Sequence, residues 1–269
     1  ETKTGTFIMS LNTDIKGKRI LLLGACGVLG RAHTRILVEH EARLIIADRP
    51  GSTVLEDAKT LGIYGLEIDV TDETAMIEGV ANAGKHYEGL DGAIFNAAIT
   101  SEGLAAFGET SHPFEDYPLA LWQKAIDINL TGAFLFAREA GKILKQGGGG
   151  SLINVASIYG VVGPDHRLYD DQPFQSFPAY SASKAGIIGL TRWLATWWAK
   201  DSVRVNTVSP GGGYNNHNER FAAAYGNRTP MGRMADREEI TGILIYLLSD
   251  SSRYCTGQNF TIDGGLTAW

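Results

Sequence analysis

Tyr180 and Lys184, in Tyr180-Ser-Ala-Ser-Lys184, lie four residues apart just after Pro178. Proline suits the first turn of a helix. On that helix the two side chains share a face, one turn apart. A phenol loses its proton near pH 10 in its ordinary state, to order of magnitude. A neighbouring ammonium favours the phenolate and lowers that value. The pair could therefore give or take a proton at working pH. The same spacing is equally at home on a packed or solvated helix face, so it needs a site around it.

A second group of residues suggests that site. Gly24-Ala-Cys-Gly27-Val28-Leu29-Gly30 follows an apolar run, Arg19-Ile-Leu-Leu-Leu23, and opens a helical stretch. Glycines there let backbone approach a pyrophosphate, and the helix start offers unpaired N–H groups. Asp48 ends the next apolar run, 18 residues after Gly30. A carboxylate in that place accepts from both ribose hydroxyls and repels a 2′-phosphate, so NAD is expected over NADP. Arg49 beside it would tolerate the phosphate, or is simply solvated.

Elements must position these groups. Strand-length apolar runs are read at Arg19–Leu23, Ala42–Asp48, Gly65–Asp69, Ala93–Asn96, Ser151–Ala156, Val203–Val208 and Asn259–Ile262. Helices are read at Val28–Glu39, Asp72–His86, Leu119–Lys145, Ala179–Lys200 and Asp236–Leu248. The runs lack polar alternation, as strands buried on both faces do. Strands alternating with helices predict an α/β fold: one doubly wound parallel sheet of about seven strands. Residues 17–269 are expected to form a single domain. Residues 1–16 are read as an extension, partly an expression remnant over Glu1–Phe7. The segments 159–178 and 211–233 break the alternation, follow strands, and are expected to bound a substrate pocket.

Composition narrows the function. The 269 residues carry 24 Lys plus Arg against 30 Asp plus Glu, a formal charge of −6 without a basic run. Nucleic acid is thus a poor partner. No apolar run reaches the roughly 18 residues of a membrane span. Cys26 and Cys255 lie far apart, as in a reducing, cytoplasmic setting. The six histidines form no sequence cluster, and no metal is expected.

The ordered set Gly24–Gly30, Asp48, Asn96-Ala97-Ala98, Asn129, Ser157, Tyr180/Lys184 and Pro210-Gly211 resembles the short-chain dehydrogenase/reductase family from Gly17 to Trp269. The resemblance implies an NAD(P)-dependent oxidoreductase acting on a CH–OH group. It implies Tyr180 as acid/base, Lys184 as the residue tuning it and holding the nicotinamide ribose, Ser157 on the substrate carbonyl, and Asn129 in a proton relay. It places Asp69 and Val70 beside adenine, Asn96–Ala98 along the cofactor, and Pro210, Gly211 and Gly213 near the nicotinamide. Leu23, Val28, Phe95 and Ala98 depart from the family's usual residues, and the Ser157–Tyr180 gap is about ten residues long of the usual. The extra piece near Pro164–Gln175 would be a lid, a surface excursion or a subunit contact. A closer resemblance to surface-sugar and flagellin-modification oxidoreductases implies a small polar, sugar-like substrate and a tetramer or dimer. Ser157, Tyr159, His166, Tyr214 and His217 are the expected substrate contacts. The loops that carry His166 and His217 have the reach to meet over the pocket. Trp193 and Trp197 share a helix face, where core or subunit packing is expected. An NADP-dependent carbonyl or 3-oxoacyl reductase, and a non-catalytic dinucleotide sensor, are the competing readings.

Overall fold

The computed structural model describes residues 12–105, 112–170 and 175–269. The N-terminal extension up to residue 11, and residues 171–174 of the long Ser–Tyr segment, lie outside these ranges. Seven strands form one sheet: β1 (Arg19–Leu23), β2 (Arg43–Asp48), β3 (Tyr64–Glu67), β4 (Gly92–Phe95), β5 (Gly150–Val155), β6 (Val203–Pro210) and β7 (Asn259–Ile262). Every neighbouring pair is parallel, in the order β3-β2-β1-β4-β5-β6-β7. The order reverses direction between β1 and β4, the place where ligands enter such sheets.

The described helices are α1 (Val28–Glu39), α2 (Val54–Leu61), α3 (Glu73–His86), α4 (Ser101–Ala105), α5 (Leu119–Ile126), α6 (Gly132–Gln146), α7 (Pro178–Trp197), α8 (Glu219–Asn227) and α9 (Arg237–Leu248). Alternation along each strand divides the core in two. Leu21, Leu23, Ile45, Phe95 and Leu152 pack with residues of α3, α6 and α7 on one face. Ile20, Leu22, Leu44, Ile46 and Ile153 pack with residues of α1 and α9 on the other. Burial of one such aliphatic side chain contributes about 1.5–3 kcal/mol, so the strands are held by both layers.

Four departures from the sequence reading have local causes. The helix expected over Leu119–Lys145 is interrupted at Asp127–Thr131 by a wider π-helical turn. That turn carries Asn129, which is fully buried. A short helix, α2, stands where none was read; Glu56 and Asp57 favour its first turn, and left-handed Gly62 ends it. Helix α8 lies inside the segment read as loop. Asn218 caps it by accepting from the Phe221 N–H, and Phe221 and Tyr225, one turn apart, are both buried. Strand β3 ends at Glu67, which leaves Asp69 beyond it, bonded to the N–H and hydroxyl of Thr71.

Trp193 and Trp197 are not in the core. Their rings stack at 5.1 Å on the outer face of α7, and 56% and 64% of their surfaces are exposed. Trp198 is the buried one, seated where Gly141 of α6 leaves room. No described helix is long and apolar enough to cross a membrane.

Candidate active site

The carboxyl ends of β1, β4, β5 and β6 and the loops after them bring the chemistry-bearing residues to one edge of the sheet. Gly24 ends β1 with φ +93°. A side chain there would meet the Ala97 backbone nitrogen at 2.4 Å, so glycine lets the β1 and β4 loops close on each other. Asn96 locks the closure by donating to the Gly24 carbonyl at 2.7 Å. At Gly30 a Cβ would stand 2.1 Å from that same carbonyl. Gly27 differs: a Cβ there would lie 3.8 Å from the Gly24 carbonyl, in ordinary contact, and would project into the open cradle. Gly27 precedes α1, whose first turn has neither a side-chain cap nor an acidic residue. Unsatisfied N–H groups and the positive dipole end therefore face the cradle.

Asp48 is held in place beside the cradle. Its carboxylate accepts from the Cys26 N–H at 2.7 Å and from the Arg49 N–H at 2.8 Å. Arg49 itself is exposed. Val28 is exposed, and Leu29 reaches toward Gly213, where a Cβ would come within 3.8 Å of it. Val70 is buried against Gly132. Ala97 is half-buried and Ala98 exposed along the same edge. The close approach at Gly24 and Gly30, the uncapped start of α1 and the Asp48 carboxylate fit a dinucleotide, and the space at Gly27 leaves room for it.

Tyr180 and Lys184 stand on α7 as the spacing predicts. Lys184 is buried and donates to the Val155 carbonyl at 2.9 Å. Burial pushes its amine down to about 7 from its usual value near 10.5. Its nitrogen lies 5.6 Å from the centre of the Tyr180 ring. Phe177 packs edge-on against that ring at 5.6 Å. Ser157, buried at the end of β5, accepts from the Tyr159 N–H at 3.1 Å. Asn129 accepts from the Ile99 N–H at 2.8 Å and donates to the Ser183 hydroxyl at 3.2 Å. Ser183 in turn donates to the Tyr180 carbonyl at 2.8 Å. The π-helical turn is thereby tied to the first turns of α7.

Four further residues, Thr191, Asn154, Thr207 and Gly160, hold α7 in register and carried no signal in the sequence. Thr191 accepts from Asn154 of β5 at 2.9 Å and bonds Thr207 of β6 at 2.8 Å. Gly160 lets the turn after Ser157 rest on α7, because a Cβ there would stand 2.7 Å from the Lys184 carbonyl carbon. Without that approach Ser157 would sit farther from the Tyr180 helix.

A cavity of about 220 Å³ opens between these groups. Ser157, Tyr159, Tyr180 and Pro210–Gly213 line it together with Tyr169, His217, Phe221 and Tyr225. The Tyr159 and Tyr169 hydroxyls are 2.8 Å apart. Burial pushes both phenols up, as it does Tyr225, so all three stay neutral hydroxyls at ordinary pH. The His217 ring stacks on Phe221 at 5.0 Å, and its Nδ1 accepts from the Asn215 N–H. Asp165 joins the two long segments by pairing with Arg228, and it also pairs with Arg167 of its own turn. These guanidinium groups hold its carboxyl well below the usual range.

Two expected contacts are not at this cavity. His166 faces a separate cavity with His112, Tyr117 and Phe177, although its loop joins the loop of His217 through Asp165 and Arg228. The cause is the short helical turn Asp165 caps, which packs Leu168 and Tyr169 inward and turns His166 away. Tyr214 is 43% exposed, its backbone paired to Ala235, while Gly213 and His217 on either side of it line the cavity. Both cysteines are free thiols. Among the described residues no three His, Cys, Asp or Glu side chains are grouped to hold a metal.

Comparison with known proteins gives relatives along nearly the whole chain. A family profile described as Enoyl-(Acyl carrier protein) reductase matches residues 24–267. The trans-4-hydroxycyclohexanecarboxylate dehydrogenase of Sinomonas cyclohexanicum is 32% identical over 272 residues, 97% of each chain. The post-translational flagellin modification protein A of Campylobacter coli is 30% identical, covering 93% of this chain and 98% of that one. A short-chain dehydrogenase of Leptospira borgpetersenii, solved with bound NAD+, superposes with a TM-score of 0.83 at 30% identity over 99% of both chains.

Proposed function

Because the chain belongs to the short-chain dehydrogenase/reductase family, an oxidoreductase family acting on hydroxyl and ketone groups, we propose that it is NAD-dependent and oxidises or reduces a small, polar ring alcohol or ketone. The observation that carries the reading is the meeting of Tyr180 and Ser157 at one cavity, with the buried Lys184 amine behind the Tyr180 ring, beside a glycine cradle with a carboxylate near it.

When bound, NAD supplies the two-electron acceptor or donor. Tyr180 exchanges the proton with the substrate oxygen. Lys184 lends positive charge to the phenolate and holds the nicotinamide ribose, and Ser157 donates to the substrate oxygen. Asn129 fixes the wall behind the pair, and the proton travels outward along Lys184 and that wall. Gly24, Gly27, Val28, Leu29 and Gly30 cradle the pyrophosphate, and Asp48 takes the adenosine ribose. Asp69 and Val70 flank the adenine; Asn96, Ala97 and Ala98 run along the cofactor, and Pro210, Gly211 and Gly213 border the nicotinamide. Residues 17–269 act as one domain, in a homo-oligomer.

The substrate side supports a ring. Tyr159, Tyr169, Phe221 and Tyr225 give flat apolar walls, and hydroxyls with His217 give polar contacts. The relative from Sinomonas cyclohexanicum carries a ring alcohol in its name. The test is the appearance of reduced-nicotinamide absorbance with NAD+ and a panel of cyclohexanols, cyclic diols and sugars. Silence across the panel, with firm NAD+ binding, would favour a non-catalytic dinucleotide sensor. An exposed Arg49 beside Asp48 favours a second reading, an NADP-dependent reductase, and cofactor affinities decide between the two.

A further inference from the structure

The cofactor groove has a second carboxylate at its ribose end that the glycine pattern and Asp48 leave unexplained. Arg31, the first residue of α1 past Gly30, extends to α2 and not toward the cradle. Its guanidinium lies 3.1 Å from an Asp57 carboxylate oxygen and donates to the Thr53 hydroxyl at 2.9 Å. Thr53 donates to Asp57 at 2.8 Å, which closes a three-membered ring of bonds. Cys26 touches this ring and Asp48 alike. Its thiol lies 3.7 Å from the same Asp57 oxygen, and its N–H donates to Asp48 at 2.7 Å. Cys26 is thus flanked by two carboxylates, with one arginine tied down between helices.

We propose that Asp57 is a positioning residue for cofactor choice: with Thr53 it holds Arg31 against α2, away from the adenosine 2′ position. This rests on the reading of Asp48 as the ribose ligand. A 2′-phosphate carries up to two negative charges and is met best by a free guanidinium. Arg31 reaches the same Asp57 oxygen that the Cys26 thiol touches, and both of its terminal nitrogens are engaged there, one by Asp57 and one by Thr53. Asp57 also adds a second negative charge beside Cys26, which opposes a phosphate and leaves a neutral ribose unaffected. Arg49, exposed on the other flank, is the cation this arrangement must outweigh.

The test measures NADH and NADPH binding to the full chain by nucleotide fluorescence, in wild type, Asp57→Asn, Arg31→Leu and the double variant. Asp57→Asn is expected to tighten NADPH about fivefold or more, while NADH changes less than about twofold. The double variant is expected to return NADPH to within about twofold of wild type, since the gain acts through Arg31. An Asp57→Asn protein that binds NADH normally and NADPH no tighter overturns the proposal. So does a double variant that keeps the gain. Thr53→Val, which removes the shared hydroxyl and keeps the shape, is read the same way with a smaller gain, and serves if Asp57→Asn does not fold. Wild type that binds NADPH more tightly than NADH contradicts the reading of Asp48 instead. That outcome is read from the wild-type ratio and not from the change between variants.

Discussion

The ammonium nitrogen of Lys184 lies 5.6 Å from the centre of the Tyr180 ring while it donates to the Val155 carbonyl at 2.9 Å. One bond thus fixes the amine at the end of β5, and the helix spacing brings the phenol over it. Burial favours the neutral amine, whereas a phenolate partner and a bound cofactor favour the charged one. The residue is therefore held where its charge is costly until the site is filled.

Lys184→Met is expected to separate stability from activity. The folded amine, pushed down to about 7, binds its proton less tightly than the unfolded amine near 10.5. Its contribution is whole above about pH 10.5 and is lost as pH falls toward 7. An apolar replacement has no such loss, so the cofactor-free variant should be more stable near pH 7, by about 1–3 kcal/mol. Turnover should fall at least about a hundredfold. Denaturant melts at pH 7 and pH 10, beside steady-state rates, check both halves. A variant less stable than wild type at pH 7 would contradict the burial argument.

The two glycines of the cradle should part company. Gly30→Ala forces a Cβ to 2.1 Å from the Gly24 carbonyl and should destabilise the fold by about 2–4 kcal/mol. Gly27→Ala meets nothing closer than 3.8 Å, so its melting temperature should stay within about 2 °C of wild type. Its methyl enters the cradle, and NADH binding should weaken about tenfold. Thermal melts with fluorescence titrations read the contrast; equal binding in Gly27→Ala and wild type would mean that phosphates lie elsewhere.

Much of this site could be read from residue types alone, and the reasons are local. The cradle, Asp48 and the Tyr180/Lys184 face depend on spacings within one strand, turn or helix. Asn129 was legible as a residue but not as a π-helical turn, because Asp127-Ile-Asn-Leu-Thr131 contains no proline or glycine. The turn widens so that Asn129 can bond the Ile99 backbone, a contact made across 30 residues. His166 and Tyr214 stand away from the cavity for a similar reason. A loop's composition does not say which way each side chain turns, and Asp165 capping and the Ala235 pairing decided that here. Helix α8 was hidden by the glycines and asparagines that precede it, although Phe221 and Tyr225 carried its period.

His33 should make stability sensitive to acid. It is buried on α1, its Nδ1 bonded to the Thr241 hydroxyl at 3.0 Å and its Nε2 without a partner. Burial pushes its pKa down to about 4 from 6.5. The folded state therefore holds fewer protons than the unfolded state between these values, and stability falls with pH through that window. The share due to His33 is about 3 kcal/mol, by the free energy of one pKa unit. His33→Gln should flatten the curve of unfolding free energy between pH 6.5 and 4. An unchanged slope would place the acid sensitivity in other groups.

The Asp165 latch between the two long segments should matter to the substrate more than to the cofactor. Asp165→Asn weakens the pair with Arg228 that joins the turn bearing Tyr169 to the end of α8, and the pair with Arg167 inside that turn. KM for a ring alcohol should rise about threefold to tenfold with NADH affinity unchanged, since only the pocket wall loosens. A rise in the NADH dissociation constant of the same size would show that the latch serves the whole site.

The account turns on the Tyr180 hydroxyl as the group that exchanges the proton. The most direct measurement is Tyr180→Phe, which removes one oxygen and keeps the ring packed against Phe177. With a ring alcohol that wild type oxidises, kcat should fall about a thousandfold or more while the NADH dissociation constant stays within about threefold. A Tyr180→Phe enzyme that turns over at a tenth of the wild-type rate or faster would contradict the claim.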